Sequence, residues 1–484
     1  MDLKELLHCV DAKVYGKVRP LEVRNLTKNS RYVGVGDIFI AHKGSQYDGN
    51  DFASSAVDNG AIAVVSSLYN PFLSVVQVVS PHLYLTESRL AAKYYAYPSN
   101  KLGVIGVTGT NGKTTVAHLI KSLLDRMSVP TGLIGTIGHV FGNGDYVQDG
   151  FTTPDACLLH KYLAEMVKNH KKAVVMEVSS IGLSLGRVAD VSFDIGVFTN
   201  LTLDHLDFHD SLDEYLAAKQ KLFSNLSTTG LAIVNADSPY VDRFIESTKA
   251  RIVSYGISRN SDYRACHVKL SSYGVSFDLM HDGKIFSCSS SLIGEHNIYN
   301  ILAAIAVTHQ YLGCDIQHLI SEINSISAPK GRLEPIFSGN CPVYIDYAHT
   351  PDALDNVCKT LQTLLPEQGR LIIVFGCGGD RERSKRKIMA RVAETYGFSV
   401  VTSDNPRGED PEEIINEICT GFVNRNFSIE IDRKQAITYA LSIASDRDIV
   451  LVAGKGHETY QIFKHQTIPF DDKEVVQEVL SNYV

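Results

Sequence analysis

The sequence lacks the features that mark several specialised classes of protein. No apolar stretch in its 484 residues approaches the ~18 residues that a membrane span needs. The N-terminus, MDLKELLHCVDAK, has no basic start followed by an apolar run, so we expect no signal peptide. The formal net charge of -8 argues against a general nucleic-acid binder, although it leaves room for local basic pockets.

Cysteine pairing is missing as well. The nine cysteines are scattered, with no C-x-x-C pair and no spacing typical of a metal site. Such a set is typical of reduced thiols in a cytosolic protein. We therefore expect a cytoplasmic protein that neither inserts into a membrane nor binds nucleic acid.

The composition that is present is that of a globular protein, 44% hydrophobic and 21% charged, which is ample for several buried cores. Length alone suggests about three domains at ~150 residues each. A helical segment closes at Pro98-Ser99-Asn100, and a second break falls in SAPKGRLE, 327–334. These breaks divide the chain into domains at 1–98, 99–330 and 331–484.

After the first break, apolar strands alternate with helical segments, which predicts a mostly parallel, doubly wound α/β sheet. The strand candidates are 102–108, 131–136, 172–178, 194–199 and 231–235. Residues 264–293 instead predict an antiparallel hairpin around Asp282-Gly283, followed by a helix that stops at Gly313. The α/β alternation restarts after the second break.

Polar clusters follow the strands directly, as in EVSS, DYAHTPD, DNPR and GKGHE. In open α/β sheets, ligands bind at the carboxyl ends of the strands. Two domains with polar residues at their strand ends therefore predict two substrates that meet in a cleft.

The stretch GVTGTNGKTT, 106–115, predicts a phosphate-binding loop between a strand and a helix. It departs from the pattern G-x-x-x-x-G-K-[ST], because Val107 stands where the first glycine belongs and Gly109 lies inside the loop. Its glycines let backbone N–H groups approach phosphate oxygens, while Lys113 can reach the β- and γ-phosphates and Thr114 can bind Mg²⁺. The alternative, an ordinary tight turn, leaves the Lys-Thr-Thr run without a purpose.

Glu177 ends an all-apolar strand, where a carboxylate is costly unless it is paired or bound to a metal. The loop after the next strand is dense in carboxylates and imidazoles: Asp204, His205, Asp207 and His209. Without H-E-x-x-H or a cysteine partner, Mg²⁺ held mainly by oxygens and one histidine is favoured over zinc. The alternatives are a capped structural acid and a solvated polar loop. Lys219 in YLAAKQKLF, taken alone, is typical of a surface lysine.

A series of motifs spans the chain in this order: GTNGKTT, TTPD, MEVSS, TNLTLDHLD, YLAAKQKLF, VNADS, LIGEHNIYNILAA, GRLE, DYAHTPDAL, FGCGGDR, DNPR and GKGHE. Together they resemble the ATP-dependent Mur ligases of peptidoglycan synthesis. The resemblance implies three α/β domains: a small N-terminal one for the UDP-muramoyl end, a central P-loop ATPase and a Rossmann-like C-terminal one for the incoming amino acid. It also implies ATP as co-substrate and Mg²⁺ as cofactor.

The resemblance carries roles over to individual residues. Those implied to bind ATP are Gly109, Thr110, Asn111, Gly112, Lys113, Thr114, Thr115, Asn297, Arg332 and Asp346. Those implied to be catalytic are Lys113, Glu177, His205 and Lys219. Thr114, Glu177 and His205 match Mg²⁺ ligands, and Lys219 matches a lysine that becomes N6-carboxylysine.

Those implied to bind the UDP-muramoyl dipeptide are Ser30, Ser45, Gln46, Tyr47, Thr152, Thr153, Ser179 and Arg187. Three positions depart from the family pattern. Ile181 replaces a frequent histidine, Leu185 a frequent glutamine, and Asn29 a more usual aspartate. Ile181 and Leu185 lie near the expected substrate path, so hydrogen bonding to the dipeptide must differ from that in other members.

The incoming amino acid is predicted from charge. meso-Diaminopimelate has a distal carboxylate that lysine lacks, and the guanidinium of Arg407 in DNPR can bind it in a bidentate way. Arg381 offers a second cation, and Glu458 with the Gly454 carbonyl can take the distal ammonium. The full set implied to bind diaminopimelate is Arg381, Asp404, Asn405, Pro406, Arg407, Gly454 and Glu458.

The expected activity is the ATP-dependent addition of diaminopimelate to the D-glutamyl γ-carboxylate of UDP-N-acetylmuramoyl-L-Ala-D-Glu, by a monomer. The nearest alternatives are a lysine-adding relative and a folylpolyglutamate-synthase-like ligase. A P-loop kinase or GTPase leaves DNPR and GKGHE without roles, and a non-catalytic binding protein predicts no phosphate release.

Overall fold

The computed structural model describes residues 1–44, 47–142, 146–202, 208–337 and 341–482. The predictions for Ser45, Gln46, Asp204, His205 and Asp207 lie outside the described residues. All nine cysteines are free thiols. Among the described helices, none is both long enough and apolar enough to cross a bilayer.

The first section of the chain is a small α/β layer. Its elements are α1 (Leu3–Leu7), β1 (Lys13–Tyr15), β2 (Leu26–Thr27), β3 (Ile38–Ile40), α2 (Ala53–Asp58), β4 (Ala63–Ser66), β5 (Val76–Val79) and α3 (Leu83–Tyr94). Within 1–44 and 47–98, five strands form a sheet in the order β1-β5-β4-β3-β2. Alternate residues of β3 enter different cores, Ile38 and Ile40 on one face and Phe39 on the other.

The middle section contains the largest sheet. Its elements are β6 (Gly103–Thr108), α4 (Lys113–Arg126), β7 (Thr131–Gly135), β8 (Gly138–Val140), α5 (Ala156–Lys168), β9 (Ala173–Glu177), α6 (Ser180–Ser184), β10 (Ile195–Phe198), α7 (Leu212–Ser224), β11 (Leu231–Asn235), α8 (Val241–Glu246), β12 (Arg251–Gly256), β13 (Tyr263–Ser271), β14 (Gly274–His281), β15 (Lys284–Ser290), α9 (Glu295–Leu312) and α10 (Ile316–Ile323). In its described part, ten strands run in the order β15-β14-β13-β12-β11-β10-β6-β9-β7-β8. The strands from β13 to β7 are parallel to their neighbours in this order, and β8, β14 and β15 pair antiparallel.

The predicted mostly parallel sheet and its antiparallel hairpin are confirmed. β14 and β15 meet at Asp282 and Gly283, whose φ angles of 48° and 72° suit the tight turn that joins hairpin strands. Helix α9 ends at Gly313 in the left-handed conformation, φ 62°. On β6, Ile105 and Val107 face the core beneath α4 and α9, and Val104 faces the opposite core.

The third section is a Rossmann-like layer, as predicted. Its elements are β16 (Glu334–Phe337), β17 (Val343–Asp346), α11 (Pro351–Gln362), β18 (Leu371–Phe375), α12 (Ser384–Tyr396), β19 (Gly397–Val401), α13 (Pro411–Cys419), β20 (Phe427–Ile429), α14 (Arg433–Ile443), β21 (Ile449–Ala453), β22 (Tyr460–Ile462), β23 (Thr467–Pro469) and α15 (Asp472–Asn482). Across 331–337 and 341–482, six strands form a sheet in the order β16-β17-β21-β18-β19-β20, parallel except for β16.

The strand order explains where the functional loops lie. In the middle sheet, β10 lies on one side of β6, and β9 and β7 lie on the other. The chain therefore leaves β6 in one direction and later returns on its other side, which opens a crevice at the carboxyl ends of these strands. The phosphate loop follows β6, Glu177 ends β9 and Thr136 follows β7.

Candidate active site

The predicted phosphate loop connects β6 to α4, and Val107 lies within the strand, which is why no glycine is needed there. Gly109 has a φ of 149°, and a Cβ at this position would lie 1.9 Å from Thr199 Oγ1. At Gly112, φ is 85° and a Cβ would lie 2.6 Å from Asn300 Oδ1. Both glycines are thus required by close packing against neighbouring elements.

Two lysines converge on the start of this loop. Lys113 Nζ donates to the carbonyl oxygens of Gly109 at 2.9 Å and Thr110 at 2.8 Å. Lys219 Nζ donates to the same Gly109 oxygen at 2.8 Å and lies 4.3 Å from the centre of the Tyr215 ring. Lys219 is only 1% exposed, so the prediction of a surface lysine, which followed from its motif alone, is wrong.

Glu177 is a buried carboxylate held by neutral donors. It is 1% exposed and accepts from Thr136 N at 2.8 Å, Thr136 Oγ1 at 3.0 Å and Thr114 Oγ1 at 2.9 Å. Its charge has no ion-pair partner within the part of the chain that the structure describes. Burying such a charge is costly without a cation, so the predicted pairing or metal binding of this carboxylate has a physical basis.

The oxygen atoms of Glu177 and Thr114 suit Mg²⁺, because a carboxylate and a threonine hydroxyl are hard oxygen ligands. The third predicted ligand, His205, is outside the described residues. Among those that are described, no group of three or more His, Cys, Asp or Glu side chains forms a candidate metal cluster. The fit therefore rests on Glu177 and Thr114 alone.

The predicted ATP-binding residues outside the phosphate loop lie between the middle and third sections. A cavity of about 340 Å³ is lined by Asn111, Asn297, Arg332 and Asp346, among others. Asp346 accepts from the backbone N–H groups of Leu333 at 2.6 Å and Ala348 at 2.7 Å. Burial raises the pKa of Asp346 to about 6, although Arg332 and these N–H groups act in the opposite direction.

The predicted dipeptide residues form a tight cluster beside Glu177. Thr153 Oγ1 donates to the Glu177 carbonyl oxygen at 2.9 Å, and Ser179 N donates to Thr153 Oγ1 at 3.0 Å. Arg187 Nη1 donates to the Thr153 carbonyl oxygen at 2.7 Å, and Thr152 Oγ1 lies 3.1 Å from Thr136 Oγ1.

The remaining substrate predictions fall in different places. Ser30 begins the 3-10 helix Ser30–Tyr32 of the first section. Tyr47, also in the first section, is 69% exposed. Two of the three family departures line cavities: Ile181 lines the cleft beside the phosphate loop, whereas Leu185 lines a separate cavity of about 370 Å³.

A single cleft of about 400 Å³ unites residues from three predicted groups. Its lining includes Lys113, Thr114, Thr152, Thr153, Ser179, Arg187, Lys219, Arg332 and Arg381. The phosphate loop, the dipeptide cluster and a residue of the amino-acid group therefore open into one space.

The other predicted amino-acid residues lie on two loops of the third section, after β19 and after β21. Arg407 Nη1 donates to the carbonyl oxygens of Gly379 at 2.9 Å and Asn405 at 3.4 Å. Glu458 Oε2 accepts from Asn405 Nδ2 at 2.8 Å and from the buried Lys455 Nζ at 3.1 Å.

Charge is largely balanced around these loops. Burial raises the pKa of Asp404, but the nearby Lys455 and Arg433 more than offset this effect and hold it below its ordinary value. Gly454, also in the predicted set, donates its N–H to the Asp346 carbonyl oxygen at 3.1 Å. Arg381, by contrast, is exposed, and its Nη1 donates to the Asp380 carbonyl oxygen at 3.2 Å.

Sequence reasoning missed four residues of the site. Asp352 Oδ2 accepts from Asn111 Nδ2 at 2.7 Å and Thr202 Oγ1 at 3.0 Å, and so ties α11 to the phosphate loop. Lys455 neutralises Glu458, while Thr136 holds Glu177. His457 Nε2 lies 3.2 Å from the Thr136 carbonyl oxygen, and burial, with Arg332 and Lys455 nearby, lowers its pKa to about 4. The signal available for Asp352, Lys455 and His457 was their position inside DYAHTPD and GKGHE.

Comparison with known proteins identifies the class to which this fold and site belong. The chain matches the Mur ligase middle domain over 107–308, the Mur ligase glutamate ligase domain over 331–456 and the Mur ligase family catalytic domain over 22–82. The chain belongs to the Mur ligase family.

Its relatives include UDP-N-acetylmuramoyl-L-alanyl-D-glutamate–2,6-diaminopimelate ligases. That of Chlamydia felis is 70% identical, with 100% of both chains covered, and that of Bacillus cereus is 39% identical, with 99% of both chains covered. A solved structure of a ligase with the same name has a TM-score of 0.69 at 32% identity and covers 100% of this chain and 99% of its own.

Proposed function

We propose that the protein is an ATP-dependent ligase that adds meso-diaminopimelate to the D-glutamyl γ-carboxylate of UDP-N-acetylmuramoyl-L-Ala-D-Glu, in peptidoglycan precursor synthesis. The observation that carries this proposal is the shared cleft of about 400 Å³, into which the phosphate loop, the dipeptide cluster and Arg381 all open. Relatives 60–70% identical over nearly the whole chain, named as ligases for this substrate pair, support the same activity.

The three sections would divide the substrates among them. Residues 1–98 would bind the UDP-muramoyl end through Ser30 and the loop that contains Tyr47. Residues 99–330 would bind ATP and the dipeptide, and 331–484 the incoming amino acid. This division is supported by the three sheets, each of which has its own core.

The residues around Glu177 would hold Mg²⁺, with Thr114 and His205 as the other ligands. When bound, Mg²⁺ would offset the negative charge of the ATP phosphates and of the transferring phosphoryl group. Lys219, buried at the base of the loop, would carry the N6-carboxyl modification that its family position implies.

The reaction would begin with transfer of the γ-phosphoryl group to the D-glutamyl carboxylate, which forms an acyl phosphate. Lys113 would leave its loop carbonyls to stabilise the charge on the phosphates. Thr153, Ser179 and Arg187 would orient the dipeptide beside the loop. The amine of diaminopimelate would then attack the acyl carbon, and the tetrahedral intermediate would expel phosphate.

The choice of diaminopimelate would depend on Arg407. A charge-assisted hydrogen bond contributes about 1.5–3 kcal/mol, roughly a tenfold to hundredfold preference over lysine. Arg407 already donates to two backbone carbonyls, so it would exchange those partners for the distal carboxylate. We further propose that the enzyme is cytoplasmic, since ATP and both other substrates are soluble metabolites, and that it works as a monomer.

The test is phosphate release from ATP in the presence of UDP-muramoyl dipeptide, with diaminopimelate, lysine or no amino acid added. The proposal expects release that needs both the dipeptide and diaminopimelate. Release with lysine but not with diaminopimelate would assign the protein to the lysine-adding relatives. Release that is independent of any amino acid would contradict a ligase and favour a kinase or hydrolase.

A further inference from the structure

A hydrogen bond joins the loop after β21 to the middle section, and its donor and acceptor can be assigned. His457 Nε2 lies 3.2 Å from the carbonyl oxygen of Thr136. Because a carbonyl oxygen can only accept, the ring must donate through Nε2. His457 is directly followed by Glu458, which is proposed to take the distal ammonium of diaminopimelate, so this contact starts at the edge of the amino-acid site.

Thr136 is in turn hydrogen-bonded to Glu177, next to the phosphate loop. Its backbone N–H donates to Glu177 Oε1 at 2.8 Å, and its hydroxyl donates to Glu177 Oε2 at 3.0 Å. The same Oε2 accepts from Thr114 Oγ1 at 2.9 Å. One residue therefore joins the amino-acid loop to the carboxylate proposed to hold Mg²⁺.

A second path returns to His457 and closes a circuit. Arg332 Nη2 donates to Thr114 Oγ1 at 3.0 Å, and the Arg332 guanidinium lies 4.8 Å from the centre of the Tyr347 ring. The ring centres of Tyr347 and His457 are 5.0 Å apart. The circuit thus has members from both the middle and the third sections.

The packing around the loop is too close for it to move alone. A Cβ at Gly331 would lie 2.2 Å from the backbone nitrogen of His457, so these two backbones are in direct contact. A displacement of His457 toward Gly331 must therefore also displace Gly331 and its neighbour Arg332. Close-packed elements of this kind transmit small shifts instead of absorbing them.

We propose that His457 and Thr136 are positioning residues that couple occupancy of the amino-acid site to the geometry of the phosphoryl-transfer site. This inference rests on the proposed function. Diaminopimelate bound at Glu458 would fix the loop, the His457 contact would fix Thr136, and Thr136 would fix Glu177. Acyl phosphate would then form most readily when the amine that consumes it is in place.

The experiment measures the coupling directly by binding. The affinity of the enzyme for a non-hydrolysable ATP analogue with Mg²⁺ is determined with and without saturating diaminopimelate, and the reciprocal titration must give the same factor. In the wild-type protein we expect diaminopimelate to tighten analogue binding at least fivefold. In His457→Phe, which keeps a ring beside Tyr347 but cannot donate, the factor should fall below about twofold.

Two further variants separate the hydrogen bond from a general loss of structure. His457→Gln keeps a donor toward Thr136 and should restore most of the coupling. His465→Phe makes the same change at an exposed histidine of the third section and should leave the factor unaltered. If His457→Phe fails to fold, Thr136→Val decides, because it removes the hydroxyl bonds to Glu177 and Thr152, keeps the backbone bonds of Thr136, and should also reduce the coupling.

The outcomes distinguish this inference from the proposed function. Unchanged coupling in His457→Phe, or a His457→Gln variant that behaves like His457→Phe, would overturn the inference. A wild-type protein that binds both ligands with no mutual effect would also overturn it and leave the ligase proposal standing. A wild-type protein that does not bind diaminopimelate even when UDP-muramoyl dipeptide is present would overturn both.

Discussion

Buried charge is arranged in opposite ways around the phosphate loop, the phosphate end of the site, and on the loops after β19 and β21, its amino-acid end. At the phosphate end, Glu177 is buried among neutral donors, with no ion pair in the described ranges. At the amino-acid end, Glu458 already pairs with Lys455 at 3.1 Å, and the buried Arg433 pairs with Asp472 at 2.7 Å. The first region therefore has a buried carboxylate without an ion pair among the described residues. In the second region Glu458 and Arg433 are paired before any ligand arrives, and Arg407 donates to two backbone carbonyls.

This difference predicts that the first region determines the rate of the chemical step and the second determines which amino acid is bound. If a buried carboxylate binds a cation needed for the reaction, removing the charge of that carboxylate should abolish most of the rate of the chemical step. Glu458 and Arg407 already have polar partners and would exchange them for the ligand, so a substitution there should change affinity and preference for the ligand more than the rate of the chemical step.

The largest effect is expected from Glu177→Gln. Glutamine can keep hydrogen bonds to Thr114 and Thr136 but has no negative charge, so kcat should fall by about a thousandfold. Isothermal titration with Mg²⁺ and the ATP analogue should show weakened metal-dependent binding as well. Glu165→Gln, on the outer part of α5, is the matched control and should retain wild-type kcat. A loss of less than tenfold in Glu177→Gln would show that this buried charge does not need a cation.

Arg407→Ala tests the amino-acid end and should have a smaller and more selective effect. We expect the KM for diaminopimelate to rise about tenfold to a hundredfold, while the KM for ATP stays within about twofold. Steady-state kinetics with each substrate varied in turn measures both constants. Arg425→Ala, at an exposed arginine of the same section, should change neither. Equal increases in both KM values would contradict the assigned role of Arg407.

The smallest expected effect concerns Asp346, a buried carboxyl at the boundary between the two ends. Its folded-state pKa of about 6 lies above the ordinary value of 3.8. Between these values the folded state retains a proton that the unfolded state has lost, so stability should fall as pH rises, by up to about 1.4 kcal/mol per pH unit. Thermal unfolding of the wild type and Asp346→Asn between pH 4 and 7 measures this slope.

The wild-type Tm should fall relative to that of Asp346→Asn as the pH rises through this range, because asparagine cannot titrate. The exposed Asp446→Asn serves as the control and should follow the wild type. Parallel curves for the wild type and Asp346→Asn would mean that burial of Asp346 has no measurable cost.

Local patterns were enough to predict much of the fold. The Asp282-Gly283 turn, the end of α9 at Gly313 and the strand that contains Val107 all depend on neighbouring residues, and the structure has them where the sequence places them. The resemblance of the motifs also supplied the family, which the comparisons confirm.

Contacts between distant residues could not be predicted in this way. Lys219 looks like a surface lysine in YLAAKQKLF, and only the approach of Gly109, 110 residues earlier, explains its burial. The pairing of His457 with Thr136 joins residues 321 positions apart. Such contacts depend on how two sheets pack together, and the periodicity of residues within either segment does not predict that packing.

The shared acceptor at Gly109 has a consequence for the response of the enzyme to its surroundings. Lys113 and Lys219 both donate to that one oxygen, so two cations are held side by side. Attachment of dissolved carbon dioxide to the Lys219 amine would reverse the sign of its charge and leave the Gly109 oxygen to Lys113 or to neither. Repulsion between the two side chains would become attraction, so the supply of dissolved carbon dioxide would help to set the resting position of Lys113, the lysine proposed to bind the ATP phosphates.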